Sequence, residues 1–330
     1  MNPTSASGPS SSSRKPGTPE YGTGIIAVNG VASAPESARI SAMDRGFLLA
    51  DSVFEVMVAF NGVILDAGAH LARLRSSASD LEIPVPWSDE SLLLELQSLV
   101  DQVPTSKISI RVVVTRGEGM GIGVGDKAFA PSRMIFALPA PAQPATVYRD
   151  GIALRSNNKG YTIRQATPKA SGNYVQTIVA TTAAQREGFA DILWTNADGE
   201  LTEAGTANVF FVGRTGDQVE IATPSLNSGI LAGITRARII SLLTSAGIPV
   251  TERIIFADEL PGFDEAFLCS SVRGLVPIAR VDQQKLFTLR ETAVFRHIDR
   301  LFLTWVETQV GKRVDWNTGR VLTAAHATAH

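Results

Sequence analysis

The chain alternates between apolar stretches with strand spacing and apolar stretches with helical spacing, punctuated by Gly-, Asn- and Pro-rich turns. Residues 24–28 predict a first strand, closed by the turn signal Asn29-Gly30. Residues 51–60 are apolar at most positions and predict a second strand, which Asn61-Gly62 folds back into 63–65. Alternation is only partial there, so this hairpin is expected to be packed on both faces. Residues 69–78 place Leu71, Leu74 and Ala78 on one helical face. Ser88-Asp89-Glu90 opens a second helix over 91–100, with acids where the helix end is positive. Residues 107–115 and 133–138 read as strands around a glycine-rich loop at 117–125.

Pro139, Pro141 and Pro144 then stiffen the chain at 139–145, because each fixes φ and removes a backbone donor. Beyond it the pattern predicts helices over 174–187, 229–246 and 289–309, and strands over 191–195, 208–212 and 265–269. The expected organisation is a disordered tail (1–23), a small N-terminal domain (24–138), a linker (139–145), a larger domain (146–310) and a loose polar tail (311–330). The fold class this predicts is α/β with two domains.

Composition narrows the function. Across 330 residues, 44% are apolar and 19% charged, enough for a sizeable core. A net charge of −2 lacks the basic footprint of a nucleic-acid binder. The single cysteine, Cys269, excludes an intrachain disulfide and fits a reducing compartment. His70, His297, His326 and His330 lack metal-ligand spacing, so no metal site is expected. No apolar run approaches the roughly 20 residues that span a bilayer. The expected location is the cytoplasm. The Ser-rich head, with Arg14 and Lys15 and no acid before Glu20, leaves an organellar transit peptide open.

Four places carry candidate chemistry. Lys169, in Pro168-Lys169-Ala170-Ser171-Gly172-Asn173-Tyr174, is either a surface lysine in a turn or a Schiff-base lysine. Glu203 precedes the apolar run 209–212, which would carry a carboxylate inward, where it needs a cationic partner such as a protonated pyridine. The alternative is an ordinary loop glutamate. Gly233-Ile234-Thr235 opens an amphipathic helix and offers free N–H groups to a phosphate, or Thr235 merely caps that helix. Arg73 is a bidentate phosphate ligand or a solvated helix-face arginine.

Taken in order, these segments resemble the class IV, fold-type IV, pyridoxal-phosphate-dependent enzymes over roughly residues 24–310. That family includes branched-chain, D-amino-acid and R-selective amine transaminases and aminodeoxychorismate lyases. The likeness rests on Asp44-Arg45-Gly46-Phe47 with Asp51-Ser52-Val53-Phe54-Glu55, His70-Leu71-Ala72-Arg73-Leu74, the Lys169 segment, Leu201-Thr202-Glu203 through Phe210, and Gly233-Ile234-Thr235-Arg236. It implies a barrel-like sheet in the larger domain, bound pyridoxal 5′-phosphate between the domains, and a homodimer with partner residues near the pocket. It implies that Lys169 forms the Schiff base and shuttles the proton, that Tyr174 bonds the phenolic oxygen, and that Glu203 pairs with the ring nitrogen. Arg73, Ile234, Thr235 and Ser271 would hold the phosphate.

The implied activity is a ping-pong transaminase, taking an amino acid or primary amine as donor and a 2-oxo acid as acceptor. An aminodeoxychorismate-type lyase is the alternative. A non-catalytic scaffold would be expected to have lost the lysine, which is present. Ser270-Ser271-Val272 replaces the Gly-Thr-Ala usual in branched-chain enzymes, Ser109 stands where they place an aromatic before Arg111, and the glycine-rich loop lacks an arginine. Phe54, Arg111, Arg116, Val272 and Arg273 are the candidates to line the substrate pocket.

Overall fold

The structure, a computed structural model, describes residues 22–125, 129–157, 168–215, 218–291 and 293–322. The expected N-terminal tail lies outside these residues up to position 21, as does the C-terminal tail beyond 322.

The first part contains β1 (Ile25–Val28), β2 (Val31–Ser33), α1 (Arg45–Leu49), β3 (Ser52–Phe60), β4 (Val63–Ile64), α2 (Ala67–Asp80), α3 (Asp89–Val100), β5 (Lys107–Thr115) and β6 (Ser132–Pro139). Its strands form an antiparallel sheet in the order β2-β1-β6-β5-β3-β4. The β1–β2 and β3–β4 hairpins both turn on Asn-Gly, with φ of 49° and 88° at each pair. Asn and Gly are the residues that adopt this left-handed region at least cost.

β3 is buried along both faces. Val53, Met57 and Ala59 pack with Leu71 and Leu74 of α2 and Leu92 and Leu96 of α3. Val58 and Phe60 point the other way and join Phe210, Phe267 and Phe302 from the second half of the chain. Strand alternation therefore sends odd positions to the helices and even positions to the second sheet. This two-sided burial explains the nearly continuous apolar run.

The second part contains α4 (Ala145–Arg149), β7 (Ile152–Asn157), α5 (Tyr174–Arg186), β8 (Asp191–Thr195), β9 (Leu201–Ala204), β10 (Asn208–Thr215), β11 (Gln218–Pro224), α6 (Ile234–Ser245), β12 (Thr251–Arg253), β13 (Phe263–Ser270), β14 (Gly274–Val281), β15 (Gln284–Lys285) and α7 (Val294–Val310). The sheet runs β12-β11-β10-β13-β14-β7-β8-β9, with β15 added beside β14. It is mixed: β11–β12, β14–β7 and β7–β8 are parallel pairs. β9 ends this order, yet Leu201 N–H donates to Ile255 O, next to β12, at 2.7 Å, and Ala204 N–H donates to Ala207 O at 2.8 Å beside β10. The sheet therefore curls back on itself, giving the α/β architecture with a barrel-like sheet.

Along β10, Val209 and Phe211 face one core with Leu193, Leu268 and Val276, while Phe210 and Val212 face α6 and α7. The Phe210 and Phe267 rings stack at 5.1 Å. Burying each such ring contributes roughly 1.5–3 kcal/mol. Among the described residues no helix is long and apolar enough to cross a membrane.

One expectation is overturned: residues 311–322 are not a loose tail. Val314 and Trp316 are buried, and the Trp316 ring lies 4.8 Å from Phe60 and 5.1 Å from Phe302. Lys107 Nζ sits 5.1 Å over the same indole. The Asn317 side chain exchanges two 2.8 Å hydrogen bonds with the Gln143 backbone. Trp316 and Val314 join the core, and Asn317 pins the segment to the linker.

Candidate active site

Lys169 belongs to the second half of the chain but is stitched to the first sheet. Its carbonyl accepts from Phe54 N–H at 2.9 Å, and its N–H donates to Ser77 Oγ of α2 at 3.0 Å. Val53 and Ala170 form an antiparallel bridge, and Ser52 Oγ donates to Ser171 Oγ at 2.7 Å. A turn at Ser171–Asn173, closed by Asn173 Nδ2 donating to Pro168 O at 3.0 Å, then starts α5 at Tyr174. This brings Lys169 Nζ within 3.0 Å of the Tyr174 hydroxyl. The Phe54 ring lies 4.8 Å from the amine and 5.2 Å from the Tyr174 ring. Arg111 covers that same Phe54 ring at 4.1 Å. Arg111 is exposed, and among the described residues no acid pairs with it.

Glu203 lies on β9, lining the cavity that Lys169, Tyr174, Leu231 and Gly229 also line. Its Oε2 accepts from Asn208 Nδ2 at 3.0 Å and from Leu231 N–H at 3.2 Å. Burial pushes its carboxyl up to about 7, and the Leu231 N–H, Lys169, Arg73 and Arg236 pull it back only in part. Its residue surface is not fully closed, because it faces the cavity. A carboxylate in this position is short of one cation.

The start of α6 is a bare helix end. Its N-cap is Gly233, at φ −69° and ψ 131°, with no side-chain cap. Thr235 is the second residue of the helix and does not cap it, so the capping alternative is set aside. First-turn N–H groups have no partner within their own helix. A Cβ at 233 would sit 1.8 Å from Asn208 Oδ1 and displace the amide that bonds Glu203. Ile234, Thr235, His70 and Ser271 line a second cavity, backed by Val58 and Trp316. Arg73 Nη1 donates to Ala232 O at 2.7 Å, just before this helix.

Behind Arg73 stands Glu55, to which the sequence pattern assigned no role. It is 0% exposed. Arg73 Nε and Nη2 donate to its two oxygens at 2.6 and 2.7 Å, and His70 Nδ1 lies 2.7 Å from Oε2. Burial raises its carboxyl, but the hydrogen bonds from Arg73 and His70 prevail and hold it below the usual carboxylate range. A charge inside the apolar run 51–60 was the available signal, since such a charge demands partners. His70 and Arg73, three apart on one helical face, supply them. Asn208, which ties Glu203 to the loop before α6, was missed too.

The remaining arginines separate clearly. Arg116 is not at the site: its guanidinium donates to Asp51 at 2.8 and 3.2 Å, to Leu81 O at 2.7 Å and to Glu82 O at 2.8 Å. It is buried, and Asp51 and two backbone carbonyls engage four of its five N–H groups, which holds it in a structural role. Arg273 is drawn to Asp191 at 3.3 Å and Thr206 at 3.2 Å. Val272 is half-buried beside Ser271.

Proteins of similar sequence and fold identify the family. The family described as Amino-transferase class IV matches residues 52–281. The chain is 29% identical over 263 residues to a putative branched-chain-amino-acid aminotransferase of Methanocaldococcus jannaschii, covering 78% of this chain and 88% of the relative. It is 25% identical over 261 residues to the D-alanine aminotransferase of Bacillus licheniformis, covering 79% and 89%. The crystal structure of the Escherichia coli branched-chain amino acid aminotransferase superposes with a TM-score of 0.76 at 25% identity, covering 84% and 92%. The matched stretch runs from the strand of Phe54 and Glu55, through Arg73, Lys169, Glu203 and α6, to the end of β14. The chain belongs to the class IV aminotransferase family and is an enzyme of that family.

Proposed function

We propose that this protein moves an amino group from an amino acid or primary amine to a 2-oxo acid, in two half-reactions at one site built around Lys169. The observation that carries the reading is the pairing of Lys169 Nζ, 3.0 Å from the Tyr174 hydroxyl, with a cavity-facing carboxylate, Glu203, whose pKa burial has raised to about 7. The cofactor is pyridoxal 5′-phosphate; a solved branched-chain amino acid aminotransferase of this fold holds its pyridoxamine form. The residues present fit it. They supply an amine for an aldehyde, an anion for a pyridinium and a bare helix end for a phosphate. When bound, the group supplies an aldehyde carbon for amine exchange and a ring that accepts an electron pair.

The chain's own residues do the rest. Lys169 supplies the amine that holds the aldehyde carbon, and afterwards accepts and returns the proton at the substrate carbon. Tyr174 donates to the phenolic oxygen and keeps Lys169 aimed. Glu203 pairs with the protonated ring nitrogen, which gives the carboxylate the cation that this part of the fold does not provide. The N–H groups of Ile234 and Thr235, the Ser271 hydroxyl and Arg73 hold the phosphate. Arg111, over Phe54 and free of an acid, receives the substrate carboxylate or the acceptor's.

The homodimer belongs to this proposal. It is supported by exposed apolar side chains on the site's flank, Val175, Ile178 and Val179 of α5, each 62–67% exposed. An amino-donor screen with L-leucine, D-alanine and both enantiomers of 1-phenylethylamine tests the function. The expected result is conversion of the aldehyde absorption by at least one donor and its recovery with a 2-oxo acid. If no donor converts it and aminodeoxychorismate yields pyruvate, the protein is a lyase and the transaminase reading fails.

A further inference from the structure

Glu55 is fully buried, yet none of the roles above uses it. The fork of Arg73 closes on it through Nε and Nη2, while Nη1 of the same guanidinium reaches Ala232 O at 2.7 Å. On the other side it meets His70 Nδ1 at 2.7 Å. An ionised carboxylate accepts, so His70 Nδ1 carries the hydrogen and donates. That orientation turns His70 Nε2 toward Ser271 Oγ, 3.4 Å away. One carboxylate on β3 thus reaches two phosphate-seat side chains, Arg73 on α2 directly and Ser271 in the β13–β14 turn through His70.

We propose that Glu55 and His70 are positioning residues that preform the phosphate seat. The inference rests on the reading of that seat given above. An arginine has many rotamers, and binding must otherwise remove that freedom. A bidentate carboxylate removes it in advance and presents the remaining donor face along the approach to α6. His70 fixes where the Ser271 oxygen sits, and the hydroxyl hydrogen turns from Nε2 to the phosphate when one binds. Charge alone argues the other way: Glu55 is an anion near the place where another anion binds. If it acted only through its charge, neutralising it would tighten phosphate binding. Positioning predicts the reverse.

The test compares two ligands that differ only in the phosphate, pyridoxal 5′-phosphate and pyridoxal, titrated by absorbance into the full-length cofactor-free chain. Glu55→Gln keeps the shape of the side chain and loses the charged fork. The expected result is a fall of roughly 10–100-fold in the preference for the phosphate ester, with pyridoxal affinity changed less than about threefold. His70→Asn keeps a donor toward Glu55 and loses the arm to Ser271; its preference falls by roughly threefold to tenfold. This second variant decides the matter if Glu55→Gln does not fold. An unchanged preference in a folded variant overturns the inference, and so does a tighter phosphate ester in Glu55→Gln. Equal loss for both ligands also overturns it, because that is general damage to the fold. If the wild-type chain itself binds both ligands equally, the phosphate reading of the α6 end falls as well, which separates the two failures.

Discussion

Two glutamates taken inside the same protein have opposite fates. Glu55 is closed in by Arg73 and His70, which outweigh its burial and keep its carboxyl below the ordinary range. Among the described residues Glu203 accepts from an amide side chain and one backbone N–H, and burial carries it up to about 7. A carboxylate that positions other side chains brings its own cations with it. A carboxylate that serves a ligand is left one cation short, and the ligand completes it. The arginines repeat the contrast. Arg116 is held by Asp51 and two carbonyls, whereas Arg111 lies over Phe54 with no acid paired to it among the described residues.

The largest test of this contrast concerns the amine that Glu203 faces across the cavity. Lys169→Ala should lower amine exchange by at least about 10³-fold while leaving the thermal midpoint close to wild type. Next, Glu203→Ala should cost amine exchange roughly 10²-fold, measured as the single-turnover rate with the best donor. Neutralising Glu55 should appear in stability as well as in the phosphate preference. Glu55→Gln removes one partner of a buried network and is expected to destabilise by about 3–5 kcal/mol in denaturant titration. If both variants lose stability alike, the distinction between the two carboxylates is wrong.

Acidity gives a sharper version with a definite sign. Folded Glu203 holds its proton up to about 7, while its unfolded reference is 4.5. Through that window the folded state binds more protons than the unfolded one, so this group makes the cofactor-free protein less stable as pH rises. Glu55 acts oppositely: its contribution is present above its unfolded value and is lost as pH falls through its lowered folded value. Thermal midpoints of cofactor-free Glu203→Gln should therefore fall less between about pH 5 and 7 than those of the wild type. Loading the cofactor should flatten the wild-type curve in the same way. The smallest expected effect lies on the arginines. Arg111→Met should raise KM for a carboxylate-bearing donor by roughly tenfold and spare 1-phenylethylamine. Arg116→Met should change stability and leave that ratio alone.

Much of this was legible in order along the chain, because local rules settle local features. Asn29-Gly30 and Asn61-Gly62 announced left-handed turns, and the unbroken apolar run of β3 announced burial on two faces. The position of Glu203 before an apolar strand pointed to its inward placement. What stayed hidden depends on partners distant in sequence. β14 carries Gly274 and Pro277 and so reads poorly as a strand, yet it is held by β13 on one side and β7 on the other. Trp316 looked like one aromatic in a polar tail until Phe60 and Phe302 supplied its pocket. Arg111 lies in the middle of β5 and Arg116 just beyond its end, and nothing local in the sequence says which of them is paired. Only the placement of Asp51 beside Arg116, 65 positions away in sequence, tells them apart.

The central claim is that Lys169 is the lysine that holds the cofactor. Borohydride treatment of the loaded protein reduces the C=N bond and leaves a stable pyridoxyl group on whichever lysine carries it. Peptide mass analysis should place that group on Lys169 in the wild type and find it on no lysine in Lys169→Ala. A pyridoxyl group on another lysine, or its persistence in the variant, would contradict the account.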